Sequence, residues 1–325
     1  MRVLIVGGAG FLGSYLAPAL DALGHDVALC DDFSGSIRYR STDRFRVFTT
    51  NCTDLNAIQH PFNAFNPEIL IIAVAHHFSR DVIYKFYEDT KLVLGTANPI
   101  CSVLSPALKH VYYCSGHEVY GGPQTNKPLR ENRKITRSAT QHGAAERAAE
   151  ILLGHQCQEV GVPFTVLRLF DLYGPRIVFS ARTGVISFLI DTVIRDEAIG
   201  LVEAKKNRDF IHVEDARDAI LAVIGAGVTG TINIGTGIPT SLRQLMQEIS
   251  TNIEVRHPVY EVPRQGVYSS IACTKTLDAI VPGGWHPKHN VTEDMADLVK
   301  FRVDENTTAE RTDPVLVLNE MRGVR

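Results

Sequence analysis

Missing from this sequence is any apolar stretch able to cross a bilayer: the longest uninterrupted one, Ile69 to Ala75, is far shorter than the roughly 20 residues a spanning helix needs. The opening MRVLIV leads into glycines rather than a cleavage site, so the chain is expected to be neither secreted nor membrane-spanning. Neither sign of charge predominates. A net charge of −3, with no basic run longer than the Lys205-Lys206 pair, leaves no electrostatic footprint for nucleic acid and makes small-molecule partners the expectation. None of the six cysteines forms a C-x-x-C pair, and most fall in apolar runs, the pattern of reduced, buried thiols in a cytoplasmic protein. The adjacent His76-His77 has no third ligand at regular spacing, so no metal is assigned. Internal repeats and low-complexity segments are absent as well.

What is present is a regular beat of Val- and Ile-rich runs alternating with helical stretches: Arg2 to Val6, Asp26 to Cys30, Arg46 to Phe48, Ile69 to Val74, His110 to Cys114 and Phe164 to Leu169. These runs are nearly continuously apolar rather than alternating, as required of strands covered by helices on both faces. The expected fold is therefore α/β, a Rossmann-type doubly wound parallel sheet. After Leu169 turn signals multiply (Gly174-Pro175, Gly237-Ile238-Pro239, Pro282-Gly283-Gly284), which places a smaller, more irregular α/β lobe there.

Gly7, Gly10 and Gly13 follow the first strand at GxxGxxG spacing, and Phe11-Leu12-Gly13 opens a helix whose N-terminus favours a pyrophosphate. On the order of 20 residues further on, the second strand ends in Asp31-Asp32, where a carboxylate can accept the adenosine ribose hydroxyls and would repel a 2′-phosphate. The expected cofactor is NAD rather than NADP.

With GGAGFLG (Gly7 to Gly13), EVYG (Glu118 to Gly121), LRLFDLYGPR (Leu167 to Arg176), RDFIHVEDARDAI (Arg208 to Ile220), NIGTG (Asn233 to Gly237) and GWHP (Gly284 to Pro287), the chain resembles the extended short-chain dehydrogenases that modify nucleotide sugars. The likeness runs nearly end to end. It implies an NAD-binding domain of residues 1–169 with 210–235, a substrate lobe of 170–209 with 236–325, and a homodimer built on a four-helix bundle. The tail from Val303 to Arg325 has no readable role. The resemblance also implies that Asn51-Cys52 and Ala73-Val74-Ala75 line the cofactor, and that Arg208 and Arg264 grip a nucleotide diphosphate. Asp171 stands where the family has Asn, and a carboxylate there would repel that diphosphate.

The family's catalytic Ser/Thr, Tyr and Lys are all replaced, by Gly116, His142 and Glu146. Arg147 is one residue too late to stand in for the Lys, its side chain being rotated about 100° off the required face. The match Tyr87 to Lys91 precedes the fifth strand and is coincidental. His142 and Glu146 lie one helical turn apart, so the carboxylate can orient the imidazole as a general base; equally, His142 can be a remnant polar residue at a cleft wall. Glu118, preceded by His117, matches the position of the base in the family's dehydratases, with His117 as a substitute acid. Three functions stay open at this level: an epimerase or dehydratase with altered acid-base groups, a catalytically silent NAD-binding protein, or a proton-transfer enzyme with no hydride step.

Overall fold

The computed structural model describes residues 1–33, 44–74, 82–121, 127–138, 140–175, 184–263 and 269–309, with side chains left out at 82–89 and 305–309. Ala75, His76-His77, Arg176, Arg264, the Tyr87 side chain and the tail from 310 onward lie outside this description. In its first half the chain runs β1 (Arg2–Val6), α1 (Phe11–Ala22), β2 (Asp26–Asp31), β3 (Arg46–Thr49), α2 (Gln59–Phe65), β4 (Ile69–Ile72), α3 (Val82–Val103), β5 (His110–Gly116), α4 (Gln141–Glu159) and β6 (Phe164–Leu169). It continues through β7 (Asp171–Tyr173), α5 (Val185–Ile194), β8 (Ile199–Val202), β9 (Asn207–His212), α6 (Val213–Ala226), β10 (Gly230–Ile234), β11 (Pro239–Ser241), α7 (Leu242–Asn252), β12 (Val259–Val262), α8 (Lys275–Ile280) and α9 (Met295–Ala309).

Seven strands form one parallel sheet in the order β10-β6-β5-β4-β1-β2-β3. The chain winds outward from β1 in one direction and returns from β4 in the other. The order therefore reverses between β1 and β4, and a crevice opens above their carboxyl ends. Period-two alternation explains the continuous apolar runs. Val3, Ile5, Val27, Leu29, Ile69 and Ile71 face the layer of α1 and α6. Leu4, Val6, Ala28, Cys30, Leu70 and Ile72 face the layer of α2, α3 and α4.

All six expected strands form, Arg2–Val6 and Phe164–Leu169 with the expected bounds and the other four with a shifted C-terminal end. β5 continues two residues past Cys114, because Ser115 and Gly116 still pair with Arg168 and Leu169 of β6. β4 stops at Ile72, where the backbone of Ala73 closes against Gly7 instead of extending the ladder.

The less regular part packs α5, α7 and α9 around a third core that includes Leu189, Leu245, Ile249, Met295 and Leu298. It carries two small sheets, β11-β9-β7 and β12-β8. The returning segment joins the large sheet through α6 and β10, whereas Phe210 to His212 pairs with β7 in the small sheet. All six cysteines are free; five are buried and Cys101 is half-buried.

Candidate functional site

The crevice begins where β1 ends. Gly7 takes φ +77°, and a Cβ there would lie 2.6 Å from the Ala73 carbonyl oxygen; at Gly13 it would lie 2.5 Å from that of Gly8. Both positions therefore require glycine, one for its backbone sign and both for closeness. At Gly10 an added Cβ would meet only the Gly7 oxygen at 3.2 Å, so this glycine faces open space above the turn. Gly10 caps α1 with no side-chain hydrogen bond, and the first turn holds no acidic residue, so its N–H groups remain available to an anion. These features fit the pyrophosphate of a dinucleotide.

Asp31, at the end of β2, is tied into the same turn: its Oδ2 accepts the Ala9 N–H at 3.0 Å and its Oδ1 the Phe33 N–H at 2.9 Å. Burial pushes its carboxyl above the ordinary range, and the two N–H donors hold that rise down. The carboxylate also accepts the Asp32 N–H, and it is the acceptor that the strand end offers to a ribose hydroxyl. Asp32 is exposed beside it. Asn51 accepts from the Thr53 N–H and hydroxyl, while Cys52 turns its thiol into the core, 3.6 Å from that of Cys30. Ala73 is buried against Gly7 and Val74 is half-buried.

Beyond β5 a short 3-10 turn, His117–Tyr120, leans on the start of α4. Thr140 caps this helix, its hydroxyl accepting the Gly143 N–H at 3.0 Å and donating to Glu118 Oε2. The approach is so close that a Cβ on Gly143 would lie 2.5 Å from the Glu118 carbonyl oxygen. In the first turn of α4, His142 Nε2 faces Glu146 Oε1 at 3.1 Å, with side chains only 10% and 9% exposed. The expected pair is thus formed. Glu146 Oε2 is buried without a hydrogen-bond partner among the described residues, and it lies directly over Gly116.

His117 points the other way. Its ring stacks on Phe170 at 5.2 Å, and Nε2 lies 3.4 Å from Asp171 Oδ2. Arg208 clamps Asp171 with both arms of its guanidinium, Nε to Oδ2 at 2.9 Å and Nη2 to Oδ1. Burial disfavours charge on His117, yet the Asp171 carboxylate outweighs it and raises the imidazole pKa. Burial likewise penalises Asp171, but Arg208 and then His117 hold its pKa far below the ordinary carboxylate range. Asp171 is therefore no unpaired repulsive charge; it occupies the fork of Arg208.

Several participants escaped the sequence reading. Glu150, one more turn along α4, accepts from Ser115, Arg147 and both arms of Arg168. The spacing His142, Glu146, Glu150 was its only signal. Tyr120 of EVYG is buried, with its hydroxyl on Asn233 at 2.6 Å and its pKa pushed up to about 12, which suits structure rather than proton transfer. Away from the crevice, donor atoms of His212, Glu214 and His289 come within 4.8 Å of one another. There His212 Nδ1 caps α6 by accepting the Glu214 N–H, and its ring stacks on His289.

The model of the NAD dependent epimerase/dehydratase family matches residues 3–235. The chain is similar to a UDP-N-acetyl-alpha-D-glucosaminuronate decarboxylase of Bacillus cytotoxicus, 29% identical over 82% of this chain and 85% of the relative. It is also similar to a UDP-glucose 4-epimerase of Mycolicibacterium smegmatis, 27% identical over 93% and 98%. In fold it matches the UDP-glucose 4-epimerase of Thermotoga maritima crystallised with UDP-glucose, with TM-score 0.82, 24% identity, and coverage of 94% of this chain and 99% of that one. The Thermus thermophilus UDP-glucose 4-epimerase in complex with NAD gives TM-score 0.78 and 23% identity, over 93% and 99%.

Proposed function

The chain belongs to the NAD dependent epimerase/dehydratase family, and on that premise we propose that it acts on a nucleotide sugar through His142 and Glu146 in place of the usual Tyr and Lys. It is an enzyme of the sugar-nucleotide epimerase/dehydratase type, and its cofactor is NAD. The pyrophosphate would rest on Gly7, Gly10 and Phe11-Leu12-Gly13. Asp31 would take the adenosine ribose, with Asp32, Asn51, the backbone of Cys52 and Ala73-Val74-Ala75 around it. When bound, NAD supplies a hydride acceptor.

The observation that carries this reading is the buried His142–Glu146 contact of 3.1 Å beside the end of β5. With its Nε2–H donated to Glu146, the imidazole would exchange a proton with a sugar hydroxyl through Nδ1, a buried atom that the substrate would have to reach by opening the cleft wall. The Glu146 carboxylate orients the ring and stabilises the imidazolium formed when that proton arrives. Glu118, held by Thr140, would take a carbon-bound proton, and His117, beside Asp171, would give a proton to a leaving hydroxyl. Arg208, with Arg264, would receive the diphosphate, Arg208 exchanging its Asp171 partner for the ligand.

Residues 1–169 with 210–235 would form the cofactor domain, and 170–209 with 236–325 the substrate lobe. A homodimer through α3 and α4 is favoured by their mutual packing and by the exposed Ile151 and Leu152 on α4. No helix among the described residues is long and apolar enough to cross a membrane, and free, mostly buried thiols favour the cytoplasm. The deciding experiment incubates the purified protein with NAD and a panel of nucleotide sugars in D2O, followed by NMR. Inversion at a ring carbon or deuterium entering the sugar is expected. Sugars that bind but remain unchanged would leave the silent NAD-binding alternative standing.

A further inference from the structure

Glu146 is a buried carboxylate beside the end of β5, where one end of the cofactor would lie. On the NAD reading, Asp31 would hold the adenosine end of the dinucleotide at β2 and the Gly7 to Gly13 turn its pyrophosphate at β1. Since the sheet order reverses between β1 and β4, the second nucleoside would continue over the carboxyl ends of β4 and β5. Val6, Ile72 and Tyr113 share a row across these strands, so Gly116 lies three residues further along β5, about 10 Å at roughly 3.3 Å per residue. Glu146 Oε2 sits over that glycine, close enough that an added Cβ would be 2.7 Å away.

Among the described residues no fixed cation pairs with this carboxylate. Glu146 is 7% exposed, its Oε2 has no hydrogen-bond partner among the described residues, and its Oε1 faces His142, a titratable group. The guanidiniums of Arg147 and Arg168 both go to Glu150. Cys114 is pushed up to about 12 by burial and then by Glu146, and Tyr113 rises through burial and then Glu146, with Glu150 and Cys114 adding to it. A buried carboxylate of this kind is stabilised by a positive charge brought into the crevice and gains nothing comparable from a neutral group.

Oxidised nicotinamide carries a ring cation, and the reduced ring is neutral. We propose that Glu146, approaching through the space left by Gly116, makes this site selective for the oxidised cofactor over the reduced one. The inference rests on the NAD reading above. Tighter binding of the oxidised form lowers the potential of the bound couple, by about 30 mV for each tenfold difference in affinity. The protein would then rest as its NAD⁺ complex, and hydride gained from a substrate would be returned readily. Such a bias suits a reaction in which the cofactor is restored within each turnover.

The test is calorimetric titration of the full-length protein with NAD⁺ and with NADH at about pH 8.5, above the ordinary imidazole range. Wild type, Glu146→Gln and Glu146→Lys are compared. Wild type is expected to bind NAD⁺ about tenfold more tightly than NADH, Glu146→Gln to lose most of that preference, and Glu146→Lys to reverse it. The preference is a ratio within one protein, so a variant of lowered stability still reports it, and the wild-type ratio stands without any variant. Equal wild-type affinities, or a ratio unchanged in Glu146→Gln, would overturn the inference while leaving the NAD reading intact. Binding of neither form would overturn both.

Discussion

Glu146 fills the volume that a side chain at position 116 would need: a Cβ on Gly116 would lie 2.7 Å from Glu146 Oε2 and 3.1 Å from Oε1. The two replacements are thus one structural change, the side chain lost from the end of β5 making room for a carboxylate arriving from α4. Gly116→Ser should destabilise the protein by roughly 1–3 kcal/mol, the usual cost of overpacking. Most of that cost should vanish in a Glu146→Ala background. Thermal melts of the four corners of this double-mutant cycle measure the coupling, and simple additivity would contradict it.

Asp31 should set cofactor choice. NAD is expected to bind more than about tenfold more tightly than NADP, the scale of one charge-assisted hydrogen bond. Asp31→Asn should narrow the gap by weakening ribose contact and 2′-phosphate repulsion together. Because Asp31 also accepts the Ala9 and Phe33 N–H groups, the variant should melt earlier, so affinities need to be measured well below its melting temperature. Equal binding of the two cofactors by wild type would remove the assignment.

Excess nucleoside diphosphate should raise the melting temperature, since a ligand of the folded state alone stabilises it. The bidentate hold of Asp171 on Arg208 competes with that ligand, so Asp171→Asn should enlarge the shift and Arg208→Met should abolish it. If NAD shifts the melt and nucleoside diphosphates never do, in wild type or in Asp171→Asn, the sugar-nucleotide substrate must be abandoned.

Turnover should depend on His142. His142→Phe is expected to lower kcat by about 10²–10⁴ while leaving NAD affinity largely unchanged, and Glu146→Gln to fall between, since it keeps a partner for the ring but loses the charge. Glu118→Gln separates the two candidate bases. Loss of solvent deuterium from the sugar in Glu118→Gln, with an unaltered rate in His142→Phe, would move proton abstraction to Glu118.

The His117–Asp171 contact makes stability depend on pH in opposite directions at its two ends. Because Asp171 raises the His117 pKa, that stabilisation is complete below the ordinary imidazole range and is lost as pH rises through the raised value. The depressed Asp171 carboxyl contributes above the ordinary carboxylate range and loses its contribution only in strong acid. The melting temperature of His117→Gln should therefore change less than that of wild type between about pH 6 and pH 9. Parallel profiles for the two proteins would show that the contact carries no linkage.

Much of the scaffold is legible along the chain because the forces that set it are local. A run such as Ile69 to Ile72 is extended and apolar on both sides whichever strands it pairs with, and Gly7 to Gly13 after Val6 announces a tight turn into a helix. The His142–Glu146 contact is legible for the same reason, since four residues on a helix always share a face. Strand ends are less so: Ser115 and Gly116 join β5 only because Arg168 and Leu169 lie beside them.

Tertiary structure alone decided the rest. Asp171 read as a repulsive charge, and it is instead the partner of Arg208, 37 residues away along the chain. Cys52, expected beside the cofactor, places its thiol in the core against Cys30. Composition and spacing state which charges and shapes a chain contains. Whether a carboxylate ends beside a guanidinium, an imidazole or a bare glycine depends on strand order and helix packing, which bring together residues whose separation in sequence carries no record of the meeting.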